Sequence, residues 1–156
     1  MEGLAQIAVV GGQLGVAKEE MLGFVEATDQ AVVALGDEFK GGAEEVAKEI
    51  GSLQKLFKET SKLKPGEAIQ EIGSALNELG ASGSATAPSV AEFTKRIGAL
   101  GNLAPEINQT LGLGAAFEEL GLSAEISSGG LTNILLTATK ETAAFAKQLG
   151  MTEKEF

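Results

Sequence analysis

Four times along this chain an amphipathic run closes on Leu-Gly, followed by an apolar or small residue and then by polar ones. The phrases are Gln13-Leu14-Gly15-Val16, Glu78-Leu79-Gly80-Ala81, Glu119-Leu120-Gly121-Leu122 and Gln148-Leu149-Gly150-Met151. Glycine directly after such a run suits the left-handed position that closes a helix, because it has no Cβ to clash there. The residue after it can fold back onto the last helical turn. Start signals follow: Ser123 after Gly121, and Thr152 with Glu155 after Gly150, which fits a capping box. The chain therefore reads as helix, tight corner, helix. The four glycines lie 65, 41 and 29 residues apart, and that irregularity excludes a fixed-period solenoid.

Between the corners every readable period is helical, and no stretch alternates as a strand would. Leu4 to Ala17 is an apolar-leaning first run. From Lys18 to Phe39 the stripe is Met21, Val25, Thr28, Val32, Leu35 and Phe39; the next is Ala43, Val46, Ile50, Leu53 and Phe57, with Glu44 four residues before Lys48 on the charged face. Further stripes are Ile69, Ile72, Leu76 and Leu79; Val90, Phe93, Ile97 and Leu100; and Ile107, Leu111, Phe117 and Leu120. The last uses Leu131, Ile134, Leu135, Ala138, Phe145 and Leu149. The fold expected is all-α: a single domain over residues 1–156, a multi-helix bundle of about six or seven amphipathic helices joined by short Gly/Pro corners.

All three prolines fall where helices begin. Pro65 precedes Gly66-Glu67, Pro88 precedes a Ser89-to-Glu92 capping box, and Pro105 precedes Glu106. Proline in a first turn loses no hydrogen bond, and acids there suit the helix dipole. Residues 81–89 (Ala-Ser-Gly-Ser-Ala-Thr-Ala-Pro-Ser) lack large apolar groups and form the best linker candidate, a flexible loop. Twenty-one glycines exceed the roughly eleven expected from ordinary usage of about 7%. Several lie inside expected helices, among them Gly23, Gly73, Gly98, Gly112 and Gly114. They either let helices approach closely or break them, and Gly129-Gly130 is the expected kink. Local helix propensity is weak either way, so the fold must lean on tertiary or intersubunit packing.

Little in the chain looks like reaction chemistry. It has no His, Cys, Trp or Tyr, which removes the commonest metal ligands, the usual neutral-pH base and the thiol nucleophile. Glu44-Glu45 and Glu118-Glu119 are paired carboxylates, but they fall on polar helix faces, where a solvated role is expected over acid/base catalysis. Gly11-Gly12 and Gly41-Gly42 follow no strand and precede no Gly-Lys-Ser/Thr, so they are not phosphate loops. The expectation is a protein that is not an enzyme, with no catalytic, cofactor or metal residue. A net charge of −10 argues against nucleic acid as a partner of this chain. No basic leader opens the sequence. Leu4 to Ala17 is too short to span a bilayer, which needs about 20 residues.

Charge is unevenly spread. Lys40, Lys48, Lys55, Lys58, Lys62 and Lys64 crowd the segment before Pro65, balanced by neighbouring acids, whereas Ile97 to Thr139 has no Lys or Arg and few acids. That section reads as a contact surface, a buried hairpin, or ordinary core helices. Thr152-Glu153-Lys154-Glu155-Phe156 announces a helix and then stops short of a dozen residues. The chain is therefore expected to be a fragment of a longer helical array.

Between Ala68 and Thr139 the wording resembles phage and prophage tail tape measure proteins of the long-tailed type. The resembling phrases are Ile69-Gln-Glu-Ile-Gly-Ser-Ala-Leu-Asn-Glu-Leu79, the Ser/Ala/Thr loop, Pro88-Ser-Val-Ala-Glu-Phe-Thr-Lys-Arg-Ile97, Ala115-Ala-Phe-Glu-Glu-Leu-Gly-Leu-Ser-Ala-Glu125 and Leu131-Thr-Asn-Ile-Leu135. Gln13-Leu-Gly-Val16, with Lys18-Glu-Glu20 and Val25-Glu-Ala27, resembles the upstream helix pair of the same family. The resemblance implies a structural role: a helical, coiled-coil rod around which tail-tube subunits assemble and whose length sets tail length. The partners it implies are tail-tube and tail-assembly chaperone proteins, with self-association open to it. The location it implies is the virion tail, with the bacterial host cytoplasm during assembly. Two other readings stand beside it. One is a membrane-active helical protein using Leu4 to Ala17 and Gly129 to Ala146; the other is a cytoplasmic helical adaptor module.

Overall fold

A computed structural model of the chain describes residues 2–152 and 154, the first of them by its backbone. Among these residues there are eight α-helices and no strand: α1 (Glu2–Gln13), α2 (Met21–Leu35), α3 (Gly42–Gln54), α4 (Pro65–Ser82), α5 (Ala87–Gly98), α6 (Ile107–Glu119), α7 (Ala124–Lys140) and α8 (Thr142–Gln148). Single 3-10 turns lie at Lys18–Glu20, Thr60–Lys62 and Gly101–Leu103. The all-α bundle is as expected, with one helix more. The extra one arises because the last apolar run is interrupted at Glu141 (φ −119°, ψ 43°). There the Thr142 hydroxyl donates to the carbonyl of Ala138 (3.3 Å), offering the backbone an alternative to the continuing ladder. Gly129 and Gly130 do not interrupt α7, which runs through them.

Three of the four Leu-Gly corners close in the same way. Gly15, Gly121 and Gly150 have φ of 78°, 79° and 69°. In each, the glycine N–H donates three residues back and the next N–H donates five back: Gly15 to Gly12 and Val16 to Gly11, Gly121 to Glu118 and Leu122 to Phe117, Gly150 to Lys147 and Met151 to Ala146. This is the Schellman pattern. Gly80 departs from it, because α4 continues to Ser82. The motif is usually closed by an apolar contact from the residue after the glycine. That residue is Val16, Leu122 or Met151 at the three corners, but only Ala81 after Gly80. Ser123 caps α7 as expected, its Oγ accepting from the Ile126 N–H at 3.3 Å. The Glu155 half of the box expected at Thr152 lies outside the described residues.

The core gathers around the contact of α2 with α4, the most extensive in the molecule. A Cβ on Gly66 would stand 2.6 Å from the Gly23 carbonyl oxygen, and one on Gly73 would stand 3.3 Å from Ala31 Cβ, so glycine sets how closely these helices pack. Phe24, Thr28, Ala31 and Leu35 are the buried face of α2. The stripe expected there (Met21, Val25, Thr28, Val32, Leu35) is thus rotated: Met21, Val25 and Val32 are half-buried flanks. The larger ring of Phe24 takes the core, because it removes more apolar area from water than its neighbours. Ile7, Val46, Ile50, Leu53, Ile69, Ile72 and Leu76 complete the centre. Buried hydroxyls bond within their own helices, for example Thr28 Oγ1 to the Phe24 carbonyl and Thr94 Oγ1 to Val90, each at 2.7 Å.

Helix α5 starts earlier than expected. Its N-cap is Thr86, and Pro88 stands in the first turn, so Ser89 and Glu92 lie inside the helix and do not form a box. The orphan amides are met from elsewhere. Glu118 of α6 accepts from the Thr86 N–H (3.1 Å) and hydroxyl (2.9 Å), and Glu38 accepts from the Ala87 N–H (2.7 Å). Of residues 81–89, four lie outside helices, and Ala85 among them is buried. By contrast Lys64 and Glu67 open α4 with a reciprocal box at Pro65, as its sequence suggests.

Two stability experiments follow. Gly80→Ala, in a helical site where the new Cβ meets only ordinary contacts, should raise stability by about 0.4–1 kcal/mol. Gly121→Ala, with open space but a left-handed backbone, should lower it by about 1–2 kcal/mol. Urea unfolding that moved both midpoints the same way would contradict this account of the corners. Glu118→Ala should cost about 1 kcal/mol, as loss of a helix cap does, and hydrogen exchange should speed up at the first amides of α5 before those of α4.

Candidate interaction surface

Side chains that could carry chemistry are mostly engaged in holding helix ends. Glu45 accepts from the Gly41 N–H (2.6 Å) at the start of α3, and Glu118 serves α5. Lys55 donates to the Leu14 carbonyl at the end of α1, where a cation suits the helix dipole. The ion pairs among the described residues are Lys95–Glu49 (3.0 Å) and Arg96–Glu92 (2.7 Å); Glu44 and Lys48, four apart on α3, do not close one. The widest groove, about 590 Å³, runs between α2 and α4 past Glu19, Glu20, Glu26, Lys64 and Glu67. Among the described residues no group of three or more acids is disposed to hold a metal ion. No helix among them is long and apolar enough to cross a membrane: α1 ends at Gln13, and Gly129 to Ala146 is split at Glu141.

What distinguishes one region is its surface. Of the eleven large apolar side chains exposed among the described residues, seven fall between Leu113 and Met151. Helix α7 packs chiefly on α5, less on α6, and leads into α8. Its inner face is Ala124, Ser127 and Ser128, all buried, continued by Leu131. Against it stand Phe93, Ile97, Leu100 and Phe117; the rings of Phe93 and Phe117 are 5.7 Å apart and tilted by 57°. Two of the three buried α7 side chains are serines, and Ser127 Oγ donates to the Ser123 carbonyl at 2.8 Å. This seat therefore buries little hydrocarbon from α7 itself.

The outer face of α7 presents Glu125, Ile126, Gly129, Gly130, Asn133, Ile134, Thr137 and Lys140, all exposed. Ile126 is 65% and Ile134 57% accessible, and Leu120 in the preceding corner is 75% accessible. No charge lies between Glu125 and Lys140. The three readings of Ile97 to Thr139 thus divide along the chain. The end of α5 and the first half of α6, with Ile97, Ile107 and Leu111, are core; the α6–α7 corner and the outer face of α7 form an apolar, weakly charged surface. Leu120 and Ile134 were expected in apolar stripes, but Leu120 follows the last turn of α6 and Ile134 points away from α5. Exposed apolar groups gathered in this way mark contact sites more often than scattered ones do.

If this face is free, Ile134→Lys should leave stability within about 0.5 kcal/mol of the parent. Phe93→Ala, beneath the same helix, should cost about 3–5 kcal/mol. A comparable loss from Ile134→Lys in thermal or urea unfolding would mean that the face is covered within the molecule.

Compared with known proteins, the chain matches over residues 1–156 the family model described as phage-related minor tail protein. No curated protein and no solved structure matches it.

Proposed function

The chain belongs to the phage-related minor tail protein family and is a structural protein of a phage tail; from that premise we propose that it is part of a tape measure protein, the helical component that scaffolds tail-tube assembly and sets tail length. The observation that carries this reading is a family match over every residue of a chain whose described part is built of helices, corners and 3-10 turns. The phrases between Ala68 and Thr139 that resemble tape measure proteins fall on α4 to α7, the part that includes the exposed apolar surface. In this reading the chain works by protein contact and not by catalysis, and its partners are tail-tube and tail-assembly chaperone proteins. Its place is the virion tail, after assembly in the host cytoplasm. With a net charge of −10, it leaves nucleic acid to other components.

The fold also separates two contributions to length. As one continuous helix, 156 residues would reach about 234 Å at 1.5 Å per residue. The longest helix here has 18 residues, about 27 Å. This part therefore acts as a folded scaffold element within the ruler and contributes less than its residue count. An in-frame deletion of it from the phage gene should lower the yield of tails and shorten the survivors, in electron micrographs, by much less than 234 Å. Tails of normal number and length from a phage lacking the whole gene would overturn the tape measure reading. Shortening by the full 234 Å would show that this part is extended in the tail.

A further inference from the structure

We propose that the outer face of α7 is the interface of a two-fold symmetric, antiparallel dimer of this chain. Two molecules of charge −10 repel, so copies can meet only where acids are absent or balanced. The outer face of α7 meets that condition. It carries one acid, Glu125, and one base, Lys140, with nothing charged between them, and among the described residues neither has an ion-pair partner within the chain. They stand at opposite ends of the helix, about 22 Å apart. A parallel pair would set Glu125 against Glu125 and Lys140 against Lys140. An antiparallel pair sets each Glu125 against the other copy's Lys140, twice over, as an isologous interface requires.

The residues between them agree with the same axis. Positions 125, 129, 133, 137 and 140 step by four, four, four and three, which is one stripe of a helix. The midpoint of Glu125 and Lys140 falls beside Asn133, so the two-fold axis brings Asn133 against its own copy. An amide can donate to and accept from a second amide, and a lone Asn in a helix seam fixes register. Gly129 and Thr137 lie four residues either side of Asn133, so each Thr137 comes over the other copy's Gly129. Gly129 has open space where a Cβ would stand, which leaves a hollow for that side chain. Ile126 supplies apolar area at the edge. The ion pairs set direction, since exposed pairs add little affinity; burial of the uncharged stripe provides adhesion. None of this depends on the tail reading.

Sedimentation velocity over a concentration series should show a reversible monomer–dimer equilibrium. The chain has no cysteine, so Asn133→Cys introduces a single thiol placed on the axis, and mild oxidation should link it to its own copy. Val33→Cys, on α2 and 85% accessible, should stay largely unlinked. Gly129→Gln fills space that is empty in the monomer, so it should keep the circular dichroism and lose the dimer. Glu125→Lys should lose the dimer, and Glu125→Lys with Lys140→Glu should restore it. A monomer at every concentration would overturn the proposal. So would a higher oligomer, a dimer that survives Gly129→Gln, or linkage of Val33→Cys as ready as that of Asn133→Cys.

Discussion

The close approach of α2 to α4 underlies the rest of the structure. Gly66 enters α4 directly against the Gly23 carbonyl of α2, where a methyl group would stand 2.6 Å from the oxygen. At that separation Phe24 turns inward and is wholly buried. Glycines on two other helices make room for its ring: a Cβ on Gly11 would come within 3.0 Å of it, and one on Gly51 within 3.6 Å. Close packing of this kind gains many small dispersion contacts at once. It offsets the cost of a glycine-rich chain whose helices would be marginal alone. α1 and α3 close over the α2–α4 pair, α5 and α6 lean on α3 and α4, and α7 reaches only that outer layer.

How much of this could be read from the sequence depended on the range of the interaction involved. The corners at Gly15, Gly121 and Gly150 were legible because every part of the motif lies within six residues. Gly80 misled because the signal was taken from Leu-Gly, while the residue after it, Ala81, is too small to close the turn. Phe24 was passed over because the stepping through Met21, Val25 and Thr28 is as regular as that through Phe24, Thr28 and Ala31. Only the facing helices decide between two such stripes. The cap of α5 was out of reach of local reading: Glu38 and Glu118 lie 49 and 32 residues from the groups they hold. The break at Glu141 carries neither Gly nor Pro and depends on a threonine hydroxyl.

The surface was partly legible. The lack of Lys and Arg from Ile97 to Thr139 marked the region, but not which of its side chains would be core. The structure separates them by helix phase: Leu131 turns toward Phe93 and Phe117, while Ile126 and Ile134 turn away. A tail protein that acts by contact needs such a face, and here it is borne by the most peripheral long helix. The polar faces of α2, α3 and α4 carry most of the acids and bases and stay hydrated.

The serine-lined seat of α7 has a mechanical consequence. A load drawn on the C-terminal side meets α8 first, then α7, whose hold on α5 rests on Ala124, Leu131 and two serines already bonded within their own helix. Only after these yield does it reach the glycine-packed pair at the centre. Stability graded in this way releases structure in steps. The molecule is built like a tear strip with a hard knot at one end: it can lengthen by a helix or two under tension and recoil, while the knot keeps its shape.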